Sequence, residues 1–121
     1  MEKQMTDREM LELAAKAADV DIIRHLQNER DGIGCGDKGL WTSDSGSCWN
    51  PLTNDGDALR LAIACQLGIS IVGGRAGLVE CVSFKECHCF VSSREFADDG
   101  DLCAATRSAI VRAAAEIGAQ M

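Results

Sequence analysis

The chain has 121 residues, with 19 acidic against 12 basic side chains, a formal charge of -7, seven cysteines and one proline. That length suits one hydrophobic core, so a single domain over 1–121 is expected, and 46% hydrophobic with 26% charged residues places the chain among those that fold. The negative charge opposes a phosphate backbone and disfavours direct nucleic-acid readout; with Glu2, Asp7, Glu9 and Glu12 in the first twenty residues no secretory signal is expected, and no apolar run approaches the roughly 18 residues of a membrane span.

Thr6-Asp7-Arg8-Glu9 fits a capping box and predicts a helix start, after which Met10, Leu13, Ala14 and Ala17 form one apolar stripe. Asp19-Val20-Asp21 interrupts that pattern. Ile22, Ile23 and Leu26 then continue a helix to Glu29 or form a short strand, the helix being the expectation. From Asp31 to Asn50 the glycines, Ser and Asp support turns and short strands. Ile33 is expected to pair with Leu40-Trp41-Thr42 in an irregular hairpin, the other reading being an exposed loop. Asn54-Asp55-Gly56-Asp57 caps a central helix from Ala58 to Gly68, with Leu59, Ile63 and Leu67 as its buried line.

Ile69–Val72, Leu78–Phe84 and Cys87–Ser92 read as a three-stranded meander. A turn at Lys85-Glu86 pairs Phe84 with Cys87 and Val82 with Cys89, and turns Val82, Phe84, Cys87, Cys89 and Val91 to the core. Cys81, Ser83, His88, Phe90 and Ser92 then form the outer face. Asp98-Asp99-Gly100-Asp101 leads into a last helix, Leu102 to Ile117, with Leu102, Ala105, Ala109, Ala113 and Ile117 inward, Arg107 and Arg112 outward, and Gly118 closing it. The expected class is α+β: about three helices on one face of a small antiparallel sheet, with room for an extra hairpin.

No residue set carries chemistry above background. Seven cysteines are about 6% of the chain, below a disulfide scaffold, and the number is odd, so thiols are expected. Cys81, Cys87, His88 and Cys89 are zinc-ligand types, but on extended strands they do not converge without a loop; Cys35 or Cys48 from the glycine-rich segment could complete a site in principle, and buried thiols are the expectation. A thiol nucleophile would need His25 or His88 as base. The aspartates of the two Asp-Gly-Asp stretches, with Asp44, fit neither an EF-hand nor a phosphate cradle and serve as helix caps. No catalytic residue, metal or cofactor is assigned. Trp41 and Trp49 either plug the core or anchor a binding surface.

Trp49-Asn50-Pro51-Leu52-Thr53-Asn54-Asp55-Gly56-Asp57-Ala58-Leu59-Arg60-Leu61-Ala62 resembles a block found in small proteins of tailed bacteriophages and prophages. Met5 to Ala18 and Ala104 to Gly118 are similar to the ends of the same proteins, so the resemblance covers roughly 43 of 121 positions and leaves the strands and cysteines outside it. It carries no catalytic residues. It implies an accessory protein of the bacterial cytoplasm that binds a host protein, by analogy with inhibitors of host defence such as anti-CRISPR proteins, and self-association is compatible with it. An acidic surface suits the basic groove of a nucleic-acid-binding defence complex. The residues expected to make that contact are Trp41, the Cys81, His88 and Phe90 face, Asp98 and Asp99. A zinc-stabilised binding module and a structural phage protein are the alternatives.

Overall fold

The computed structural model describes residues 6–34, 39–42, 48–72, 78–83, 91–96 and 102–121. Helix α1, Asp7–Ala17, starts where Thr6 Oγ1 accepts the Glu9 N–H at 3.2 Å, and the Thr6 hydroxyl donates to Glu9 Oε1 at 3.1 Å. After α1 the chain reverses at Asp19, whose φ of 58° is a left-handed conformation that short polar side chains tolerate. Ile22 then forms a β-bridge with Thr42, and helix α2 runs over Arg24–Gly32.

Strand β1, Leu40–Trp41, pairs antiparallel with β2, Cys48–Trp49. Gly39 enters β1 with φ of 137°, and a Cβ there would lie 2.5 Å from the Trp49 carbonyl oxygen, so only glycine fits. Helix α3, Asp55–Ala64, is capped by Asn54, whose Oδ1 accepts the Asp57 N–H at 2.9 Å. It ends at Cys65. Gln66, at φ of 54°, turns the chain directly into β3, Leu67–Val72. β4, Leu78–Ser83, and β5, Val91–Phe96, complete an antiparallel sheet in the order β3-β4-β5.

Helix α4, Leu102–Gln120, organises the rest. One side packs on α1 and the other on β4 and β5, while α3 lies beside it on the β3 side and touches β3 only sparsely. Ala105, Ala109, Ala113, Ala114 and Ala115 are all buried, because small side chains let both layers approach. The approach is closest at Gly118, where a Cβ would lie 2.0 Å from the Leu13 carbonyl oxygen.

The α+β class holds and β3-β4-β5 is an antiparallel meander with a separate two-stranded ladder beside it, but the expected count of about three helices, the strand bounds and the register do not hold. Four helices form, and the third strand begins at Val91, where the expected one was ending. Val82 pairs with Ser92 instead of Cys89, while Lys85-Glu86 lies outside the described residues. The inward face of β4 is inverted: Val79 and Cys81 are buried and Val82 is half-buried, since a strand's faces exchange with a shift of one residue. Leu40–Trp41 pairs with Cys48–Trp49, and Ile33 is exposed at the end of α2. Gly118 does not close α4; it is the notch in which α1 crosses. Nor does Gly68 end α3, because Gln66 takes the left-handed turn. Among the described residues no helix is long and apolar enough to cross a membrane.

Candidate functional site

The residues expected to meet a partner are dispersed. Trp41 is half-buried, with the Arg30 guanidinium 4.8 Å from its ring centroid and its backbone N–H donated to Gln27 Oε1 at 2.8 Å. Cys81 is fully buried against the helices, so it is no part of an outer face. His88, Phe90, Asp98 and Asp99 lie outside the described residues, as do Cys35, Cys87 and Cys89. Among the described residues no three potential metal ligands come together.

Polar contacts in the first half of the chain hold the scaffold. Gln27 is fully buried; while accepting from Trp41 it donates through Nε2 to Asp31 Oδ1 at 3.1 Å. Asp31 also receives both terminal nitrogens of Arg8, at 3.0 and 2.9 Å. The Arg8 hydrogen bonds, then the one from Gln27, hold the Asp31 carboxyl below its ordinary value of 3.8. The guanidinium of Arg8 is raised in turn, by the hydrogen bond to Asp31 first.

The Trp49 to Ala62 block is scaffold as well. Asp57 Oδ2 accepts the Asn50 N–H at 3.0 Å, its Oδ1 accepts from Arg60 at 2.7 Å, and Asn50 Oδ1 accepts the Leu52 N–H at 3.0 Å. These bonds fix the turn that carries Trp49 into the core. A cavity of about 440 Å³ lies between Thr42, Trp49, Asp57, Arg60 and Leu61, but both Asp57 oxygens are already engaged in holding the turn.

The surface with unmet physical demand lies elsewhere. α3 buries Ala58, Leu61, Ala62 and Cys65, not the expected line: Leu59 is 58% and Ile63 is 67% exposed. α3 packs on alanine-rich α4 with Ala58, Leu61 and Ala62 buried, while two of its three large apolar residues, Leu59 and Ile63, are turned away. Across a cleft of about 380 Å³ stand Ile69 and Ile71 of β3, 38% and 54% exposed. Leu102, Cys103, Thr106 and Ile110 of α4 line its floor. At one end Arg107 donates to Asp55 Oδ1 at 2.6 Å and to the Leu52 carbonyl at 2.8 Å; it is held in place, correcting the outward position expected for it. The cleft offers apolar contact and no catalytic constellation.

Sequence reasoning missed this surface by phasing α3 on the line of Leu59, Ile63 and Leu67, although Leu61 on the other face is as large. The available signal was that α3 is apolar nearly all round, more than its small neighbours can cover. In comparisons with known proteins, no family model, no curated protein and no solved structure matches the chain.

Proposed function

We propose that the chain is a phage or prophage accessory protein that acts by binding a bacterial host protein, as an inhibitor of host defence of the anti-CRISPR kind, and that it performs no catalysis. The observation that carries the binding reading is the cleft: Leu59, Ile69 and Ile71 line it and are exposed, and Ile63, one helical turn after Leu59, is exposed as well, whereas most other large apolar side chains among the described residues reach the core. Exposed singly, such residues need no explanation; gathered around one cleft, they fit a surface that a partner covers. The openness of the cleft favours a protein over a small molecule, because a small ligand is normally buried over most of its surface and these side chains are more than a third exposed. The phage origin and the host target rest on the resemblance of the Trp49 to Ala62 block and on the acidic charge.

The test is retention of a bacterial protein by the immobilised chain, comparing wild type with Leu59→Lys/Ile63→Lys. Both positions are exposed, so the variant should keep its helical circular dichroism while losing at least tenfold in retained target. A folded variant that retains its target unchanged removes the cleft from the binding surface.

A further inference from the structure

β3 has β4 on one side and, among the described residues, no strand on the other. Gly68, Ile69, Ser70 and Ile71 are all exposed, so a row of backbone N–H and C=O groups faces outward along an edge. Natural edges are usually protected by lysine, proline, a bulge or brevity; β3 is six residues long, Leu-Gly-Ile-Ser-Ile-Val, with none of these. The helix layer extends past it. α4 underlies β4 and β5, while α3 flanks α4 on the β3 side with Leu59 and Ile63 uncovered. Among the described residues, the β3 edge of the sheet and the outer side of α3 are left uncovered together.

We propose that a second copy of this chain supplies that strand, β3 pairing antiparallel with β3 across a two-fold axis at Ser70. Ile69 then lies opposite Ile71 of the second copy and Ser70 opposite Ser70, and opposed residues share a face. The isoleucines of each copy therefore turn toward the helix layer of the pair, where each added strand meets the Leu59 and Ile63 of its neighbour. The interface is isologous, as a two-fold axis requires, and one alternating strand satisfies both halves. Charge does not oppose the pairing despite the net -7: β3 carries no charged residue, and at the end of the cleft Asp55 is already paired with Arg107 at 2.6 Å. A target that binds the same cleft must displace the second copy.

The measurement uses the full chain alone, by size-exclusion chromatography with light scattering in reducing buffer. Wild type is expected at about twice 12.9 kDa, and Ile71→Lys, with unchanged circular dichroism, at the monomer mass. A second variant reads the register. Paired Cα atoms across an antiparallel ladder are about 4.5–5.5 Å apart, within reach of a disulfide. On a Cys103→Ser background, which removes the exposed thiol among the described residues, Ser70→Cys should raise the disulfide-linked dimer several-fold over its parent under air. A wild-type monomer at every soluble concentration overturns the proposal. So does a dimer that survives Ile71→Lys, or one in which Ser70→Cys adds no cross-link. No target enters this experiment, so its failure leaves host binding standing, and failed host retention leaves the dimer standing.

Discussion

At the scale of single residues, Asp31 has the most legible electrostatics. It joins α2 to α1 through Arg8 and to β1 through Gln27, and those hydrogen bonds lower its pKa in the folded chain. A carboxyl lowered on folding stabilises fully above its unfolded value; that contribution is lost as pH falls through the folded one. Thermal unfolding of Asp31→Asn should therefore lie below wild type at neutral pH, and the two should converge as pH falls below 3.8. Arg8 and Asp31 are each about a third exposed, so salt should narrow the gap. Thr6 with Glu9 was readable from spacing alone because both groups act within one turn. Arg107 was not, since its partners lie 52 and 55 residues away.

At the scale of elements, the crossing of α1 and α4 depends on Gly118. Alanine there would drive its Cβ into the Leu13 carbonyl, a backbone atom that cannot rotate aside. Gly118→Ala should cost about 1–3 kcal/mol by overpacking, despite alanine's better helix propensity, and urea unfolding should show a lower midpoint at similar slope. Sequence reasoning expected a helix stop at this glycine, because a glycine near a helix end has the same composition whether it terminates the helix or admits a neighbour. α3 shows the same ambiguity in its phase. Leu59, Ile63 and Leu67 share one stripe and Ala58, Leu61, Ala62 and Cys65 another, and the chosen face depends on the smallness of α4, a property of a segment forty residues later. β4 was inverted for a related reason: the register with β5 depends on the connection between them, and no local pattern states its length.

For the whole molecule, composition gave the right class, because alternating and helical apolar periods are local signals; the number of elements and the faces they bury depend on contacts distant in sequence. Charge acts at this scale too. On the proposed reading, with a basic host groove as target, association of a chain of -7 should slow as salt rises, by roughly tenfold or more across a wide range, while dissociation from an apolar contact should change little. Stopped-flow or surface-based kinetics with the captured target would test this; a salt-independent association rate would point to a target without that charge. The two tryptophans have a separate consequence. With no tyrosine in the chain, Trp41 and Trp49 dominate its near-ultraviolet absorbance and emission, and both sit on the β1–β2 ladder. Intrinsic fluorescence is therefore a reporter of that corner alone, whereas a dye on Cys103 would illuminate the cleft, giving two optical channels for two separate parts of the protein.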